Sequence, residues 1–480
     1  MITFIVSVVL LILGFIFYGK VVERHFGADP KRETPVKRLA DGVDYKELKP
    51  WKIFIIQFLN IAGLGPIFGA ILGAAYGPMA YLWIVAGCIF MGSVHDYCSG
   101  MLSLRNDGIS LPNVVGKYLG KTVKVIMTIL TAFLLLAVGT SFVKGPADLL
   151  HALTSWNSSI WLYIIFAYYI IATLLPIDKI IGNIYPIFGV ILIFMVLSVG
   201  TAMLVKAGQG SVHMTEFTAG AFHNYHASPS SNVLFPMLFI VISCGAISGF
   251  HATQSPLMAR CMGSEKYGRP IFYGAMILEG IVAMVWASAA MAYYGSPEGL
   301  NVAACKGVTP AILVNLICNT WLGKFGAVLS ILGVVVCPIT SGDTAFRSLR
   351  LVISDVFKVK QKPIINRLII AVPIFVLAYM ICELDFSTIW NYVGIMNQML
   401  AMVTLWTISS FFRQSGKSHW MSSIPAMFLT VVCISYIFIA PYKAGGLSLN
   451  PVIGYSVGCA AAIAFMVLLL TDKRKLAPEN

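Results

Sequence analysis

Long apolar runs separated by short polar stretches dominate the chain, and those runs set its architecture. A bilayer core needs about 20 apolar residues per helix. On that rule the pattern predicts about thirteen spans, at 2–18, 52–75, 79–104, 121–143, 159–177, 183–205, 233–258, 270–294, 325–346, 364–382, 387–411, 421–441 and 449–470. Residues 308–319 are apolar but too short to cross, and predict an interfacial or re-entrant helix. Two spans are interrupted at mid-length. In NIAGLGPIFGAILG, Asn60 to Gly73, Gly63, Gly65 and Pro66 fall together halfway along an apolar run. Proline removes a donor and clashes with the preceding turn, yet it suits the first turn of a new helix. In SCGAISGFHATQSPLMAR, Ser243 to Arg260, the small residues Ser243, Gly245, Ser248 and Gly249 lie mid-span, followed by polar His251, Thr253 and Gln254.

A helix broken in lipid strands backbone groups at a cost of several kcal/mol each, unless the break is buried in protein or lines a wet cavity. The glycines can also serve simply as points of close helix packing. The two breaks, however, fall at matching places. Four spans separate them, and the interrupted spans enter from opposite sides. The order is five spans beginning with a broken helix, then five more in the opposite orientation, the pattern of an inverted repeat with a site at the midplane. The chain accordingly divides into an N-terminal span and basic loop (1–50), repeat one (51–206), repeat two (233–411) and a C-terminal helix pair with tail (420–480). Freed N–H groups and the positive ends of half-helices suit an anion, and freed carbonyls suit a cation.

Composition agrees: 58% hydrophobic, 11% charged, mean hydropathy +0.84, as expected of an all-α polytopic membrane protein with the lipid bilayer as its surroundings. The net charge of +13 raises the question of nucleic acid. Its placement answers that. With the N-terminus outside, only Lys144, Lys206, Lys306, Lys324 and Lys443 lie on the outer side, and the other 28 of the 33 Lys and Arg lie on the inner side. The positive-inside rule then puts residues 19–51 and the tail DKRKLAPEN in the cytoplasm, with attraction to anionic lipid in addition. No nucleic-acid partner is needed. The run Ile2–Tyr18 lacks a preceding basic region and a cleavage site, and is expected to be a retained span. Ten cysteines include no C-x-x-C pair, and only Cys305 and Cys318 share a loop where a disulfide could form. No metal-binding, cofactor or nucleotide-binding motif is present. The outer-loop histidines His213, His223 and His226 lack compact ligand spacing.

Ionisable groups within the membrane are costly and mark candidate sites. Asp96 lies toward the cytoplasmic end of its span, where it snorkels to the inner interface, caps a nearby helix, or couples a proton or cation. Its neighbour His95 is expected on a different helix face and so not to pair with it. Glu279 lies about nine residues, roughly 14 Å, into its span, and must be protonated or paired. Asn60, Gly63, Gly65, Pro66, Ile67 and Phe68 at the first break, and Gly245, Ser248, Gly249 and His251 at the second, form the candidate substrate site. Gln57 is read as packing. Asp343 and Arg347, spaced i, i+4, read as an intrahelical pair at the inner interface or as a gate pair. Thr340 and Thr344 share one face with Ser341 adjacent, and such hydroxyls often bond their own backbone. Asn397 and Gln398 are weaker candidates.

At the level of residues, QFLNIAGLGPIFGAILGAAYG, WIVAGCIFMGSVHDYCSGMLSLRNDGIS, CGAISGFHATQSP and SGDTAFRSLR resemble motifs of the carbon-starvation protein A (CstA) family, from about Trp51 to about Asp355. The arrangement of spans is similar to LeuT-like transporters of the amino acid–polyamine–cation superfamily, with one extra span before the repeats and two after. The resemblance implies a bacterial inner-membrane transporter of the carbon-starvation response, importing peptides or, in relatives, pyruvate. In LeuT-like sodium symporters hydroxyls on the corresponding helix complete a cation site with carbonyls of the first broken helix, which makes Thr340, Ser341 and Thr344 candidate Na⁺ ligands. The chain is shorter than the long members of the family, and its break reads Gly-Leu-Gly-Pro, so substrate preference does not transfer. The expected function is secondary active import of a peptide or small carboxylate driven by H⁺ or Na⁺. An amino-acid permease or a transporter-like nutrient sensor is the alternative, although the stretch after Thr471 is short for a signalling domain. No paired catalytic carboxylates with a nucleophile are found, so an enzyme is not expected.

Overall fold

Lipid leaves a backbone no partner but itself, so each apolar run is driven to satisfy its own N–H and C=O groups as a helix. The computed structural model describes residues 1–40, 45–154, 156–174, 185–360 and 363–474, and the regular elements among them are all helical. Leaving aside isolated turns, they are α1 (Ile2–Phe26), the pair α2 (Pro50–Ile61) and α3 (Gly65–Ala74), α4 (Met79–Arg105), α5 (Leu111–Leu119), α6 (Lys121–Leu153), α7 (Ser158–Leu174) and α8 (Tyr185–Gly208). There follow α9 (Leu234–Val241), α10 (Gly249–Ala259), α11 (Glu265–Tyr293), α12 (Pro297–Cys305), α13 (Pro310–Phe357), α14 (Ile364–Cys382), α15 (Phe386–Gln414), α16 (Trp420–Ile439) and α17 (Pro451–Thr471).

Ten of these helices are long and apolar enough to cross a membrane, or eleven when the bent pair α2–α3 is taken as one span. The expected thirteen therefore stands only in its coarser form, a polytopic helical bundle. The run at 159–177 forms the shorter α7, and its end and the start of 183–205 lie outside the described residues, as does the end of the basic tail. The second interrupted span is split into α9 and α10, each too short to cross alone. The apolar stretch 308–319 belongs to the first part of α13, which Gly323 (φ 64°, ψ −151°) divides from the part that carries the Thr340–Arg347 motif.

Burial separates centre from rim. In α11 and α4, 89% and 83% of the apolar window is enclosed by protein, against 28% for α1, α14 and α17. The interrupted helices lie against this centre: α2 and α3 pack on α11, and α10 packs on α4 and α15. The hairpin of α16 and α17 flanks α15, and α6 joins α13 to α15.

At the end of the molecule that carries Arg105 and Arg269, the chain between α1 and α2 is tied down. Glu265 is fully buried and accepts two bonds of 2.9 Å from Arg105 and one of 2.7 Å from the Asp29 N–H. The Arg105 guanidinium also stacks 4.5 Å from the Phe26 ring. Lys417 donates to the carbonyls of His25 and Phe26, and the Leu48 N–H to that of Cys261. All ten cysteines are free; Cys305 is exposed while Cys318 is buried on α13, so the pairing their shared loop suggested does not form.

Candidate functional site

The two breaks meet face to face. The chain turns by 50° between α2 and α3, with Pro66 in the first turn of α3, where its missing N–H costs nothing. Close approach requires small residues on both sides: a Cβ on Gly65 would lie 2.4 Å from the Cys244 sulfur. Gly245, at φ +88°, is in the left-handed region that other residues avoid, and a Cβ there would stand 2.4 Å from that of Ala283. Beyond it the chain leaves Ser248 as N-cap and starts α10 at Gly249.

Exposing backbone groups in this dry centre would be costly, and side chains from other helices satisfy them. Glu279 Oε1, from α11, accepts the Gly245 N–H at 3.0 Å. Asn397 Oδ1, from α15, accepts the Phe250 N–H at 2.7 Å and the Ser248 hydroxyl at 3.0 Å. The Asn397 amide nitrogen turns back to Ser243 Oγ at 3.4 Å and Cys244 Sγ at 3.5 Å. Each side of the second break thus has its own cap, one a carboxyl and the other a neutral amide.

The carboxyl cap ends a line of buried titratable groups. His95 Nδ1 lies 2.8 Å from Asp96 Oδ1, Asp96 Oδ2 lies 2.8 Å from His251 Nδ1, and His251 Nε2 lies 3.2 Å from Glu279 Oε2. All four side chains are fully buried. The last contact is close but poorly aligned as a hydrogen bond, and neither atom has another partner. With Nδ1 donating to Asp96, Nε2 of a neutral ring presents a lone pair to the carboxyl, so the pair is stable only with a proton between them. Asp96 has a histidine nitrogen against each of its oxygens.

Two expectations change here. Asp96 does not snorkel, and it does bond to His95. No face of α4 meets water or lipid at this level, so both side chains turn into protein and the short carboxyl reaches back to Nδ1 of the preceding ring. Cys244, His251 and Glu279 place ligand atoms within 4.8 Å of one another. A soft metal would need the thiolate, yet Cys244 donates its S–H toward Ser248 Oγ at 3.6 Å, and the donor set fits a proton better than a metal.

At the first break all three α13 hydroxyls bond back to their own helix, Thr340 and Ser341 to Cys337 O at 2.7 and 3.2 Å and Thr344 to Thr340 O at 3.2 Å. Two of them also reach the break: Ser341 Oγ lies 3.1 Å from the Leu59 carbonyl and Thr344 Oγ1 3.4 Å from Asn60 Oδ1. Asn60 Nδ2 is buried and has no partner among the described residues. Ile67 and Phe68 are buried, and the Phe68 ring contacts Phe386 and Trp390 at centroid distances of 5.7 and 6.1 Å. Gln57 reaches Ser255 Oγ at 3.4 Å, and Gln398 donates to Phe239 O at 2.8 Å. Asp343 and Arg347 are 3.3 Å apart and both are buried; Tyr185 donates to Asp343 at 3.2 Å and Arg347 reaches Ala172 O at 3.2 Å. Tyr185, Phe386 and Trp390 carried no signal in the sequence beyond being aromatic. In the loop between α8 and α9, His226 packs on Tyr76 and His223 on Tyr225.

The family model described as carbon starvation protein CstA matches residues 1–144, 137–306 and 296–436. An uncharacterized membrane protein of Haemophilus influenzae is 45% identical over 354 residues, covering 64% of this chain and 95% of the relative. The pyruvate/proton symporter BtsT of Escherichia coli is 26% identical over 346 residues, covering 58% of this chain and 47% of its own length. The aligned part of the chain thus spans about half of that transporter. Among solved structures, a Na⁺-coupled sialic acid symporter aligns over 99% of this chain and 98% of its own, with a TM-score of 0.55 at 13% identity, a likeness of fold.

Proposed function

The chain belongs to the carbon starvation protein CstA family, and we propose on that premise that it is a secondary active importer of a small carboxylate or peptide, coupled to protons, in the bacterial inner membrane. The observation that carries the reading is the buried line His95–Asp96–His251–Glu279, which ends on the amide of the second break. Ionisable groups at this depth are expensive to keep, and a line of them touching broken backbone joins a proton carrier to a substrate site. The substrate lies between Asn60–Phe68 and Gly245–His251, with Gly63, Gly65, Pro66, Ile67, Ser248 and Gly249 shaping its walls. The unpartnered Asn60 amide serves as donor, and the Phe68–Phe386–Trp390 cluster acts as a cover. Alternating access comes from one helix bundle rocking about that site, with Asp343 and Arg347 as a gate pair. The N-terminus faces outward and the basic segments face the cytoplasm, as the distribution of Lys and Arg favours.

A second reading has an observation of its own. Ser341 Oγ and Thr344 Oγ1, besides bonding their own helix, lie near the Leu59 carbonyl and Asn60 oxygen of the first break, a set of neutral oxygens suited to Na⁺; Thr340 bonds its own helix alone and would have to turn to join them.

Uptake of labelled pyruvate and of a labelled dipeptide into proteoliposomes, under an imposed pH gradient and separately a Na⁺ gradient, decides. Accumulation under the pH gradient that Glu279→Gln abolishes is expected. Accumulation driven only by Na⁺ would transfer coupling to Ser341 and Thr344, and none under either gradient by folded protein would refute the importer.

A further inference from the structure

The caps on the two sides of the second break differ in kind. Asn397 is neutral at every pH, so the bonds it accepts from Ser248 and Phe250 are permanent. Glu279 can gain a proton, so the bond it accepts from the Gly245 N–H is not. A hydrogen bond to a carboxylate is roughly twice as strong as one to a neutral acceptor. Protonation of Glu279 therefore leaves the Gly245 amide with a weak partner at the point where the two broken helices touch.

The groups facing Glu279 make that proton the controlling one. His251 on α10 meets Oε2 at 3.2 Å, and Asp96 on α4 lies behind it, held by His95. Cys88, on α4, packs against Gly280 and donates its thiol to Met276 O. Cys244, beside Gly245, is held by Asn397 and Ser248. With Asp96 and Glu279 both ionised around one imidazole, a third carboxylate brought to the break would meet like charge in a dry interior. With Glu279 protonated that repulsion is lost, and the start of α10, capped by a neutral amide, keeps its positive end unbalanced.

We propose that Glu279 is an exchangeable cap: when it takes up a proton, the Gly245 amide passes from its carboxyl to a carboxylate of the substrate, and the substrate is admitted only in company with that proton. The inference rests on the importer reading above and deepens it, since it assigns the anionic group of the substrate to one backbone donor. The charge balances. One proton and one carboxylate enter together, Glu279 returns its proton when the substrate leaves, and the transport of a monocarboxylate is electroneutral.

The test is equilibrium binding of labelled pyruvate to the purified full chain in nanodiscs between about pH 5.5 and 8.5, the range open to a buried carboxyl. In the wild type, affinity is expected to fall by about tenfold per pH unit once Glu279 is ionised in the free protein. Glu279→Gln, a permanently neutral cap, is expected to bind with a flat profile and to exchange pyruvate without accumulating it. Glu279→Asp, which keeps a carboxyl, is expected to restore the slope with a displaced midpoint. Parallel profiles for wild type and Glu279→Gln would overturn the exchange alone and leave the importer standing. Loss of binding by folded Glu279→Gln would make Glu279 a structural pillar and also overturn it. Wild-type protein that binds no pyruvate at any pH would overturn the carboxylate reading and this inference with it.

Discussion

Replacing Gly245 by alanine should close the space on which the two broken helices depend. The substitution meets two separate penalties. The backbone sits at φ +88°, where an L side chain costs about 1–2 kcal/mol. The added methyl would lie 2.4 Å from Ala283 Cβ, and overpacking of that sort costs about 1–3 kcal/mol. Together they amount to about 2–5 kcal/mol, against a tenfold change in population for each ~1.4 kcal/mol. The penalties can be told apart, because only the second involves Ala283. In the double variant Gly245→Ala, Ala283→Gly the clashing methyl is gone and only the backbone strain remains. Ala283→Gly by itself should cost about 1 kcal/mol, the usual effect of glycine within a helix, so the pair should show a favourable coupling of about 1–3 kcal/mol. Heating purified protein in detergent and following the monodisperse fraction gives the ranking, and proteoliposome uptake gives the functional loss. Gly245→Ala should melt lowest and the double variant should recover part of the difference. If Gly245→Ala matches wild type in both assays, or if Ala283→Gly rescues nothing, the close packing of the breaks has been misjudged.

Asn397→Leu removes the acceptor for the Phe250 N–H and the Ser248 hydroxyl; each buried group left without a partner costs about 1–3 kcal/mol, so the melting temperature should fall while Gln398→Leu, on the next position, costs less. Ser341→Ala and Thr344→Val should leave pH-driven uptake intact if protons are the coupling ion, and should abolish uptake if Na⁺ is; the same flux assay under each gradient separates the two. Away from the membrane, Glu216 takes up bonds from Ile2, Thr3 and the chain's amino group, which, against burial pushing the other way, hold its carboxyl at about 2, below the ordinary 4.5. A depressed carboxyl stabilises above its free value and loses that contribution as pH falls toward the bound one. Protection of the amides at the start of α1, taken relative to their intrinsic exchange at each pH, should therefore be unchanged above about pH 5 and fall as the pH is lowered toward 2, and Glu216→Gln should remove the dependence.

Much of the frame could be read along the chain because lipid permits so little: a run of twenty apolar residues has to be a helix, and a proline set among glycines inside one points to a break. Glu279 and Asp96 stood out for the same reason, as charges where charge is dear. Their partners did not. His251 reaches Asp96 across 155 positions of sequence, and no local pattern records that. Helical geometry puts His95 on another face, which holds for a helix with one wet side but not for the stretch of α4 around His95, where every residue from Met91 to Leu104 is buried. Asn397 was ranked low because a neutral amide in a 29-residue helix looks the same whether it caps a broken strand of backbone or faces a neighbour. The α13 hydroxyls needed coordinates as well, since adjacent Thr340 and Ser341 share the Cys337 carbonyl and only Ser341 also reaches Leu59 across the break.

Glu265, buried between Arg105 and the Asp29 amide, ties the first helix to the centre of the bundle. The strand of chain after α1 is fastened both to the end of α4 and to the loop that follows α10. Any motion that swings α10 away from α4 must either carry this leash along or unhook it, and unhooking strips a carboxylate of its guanidinium in a dry place. If the chain moves as the importer reading requires, the leash sets a threshold on opening at that end, with α1 as its mooring.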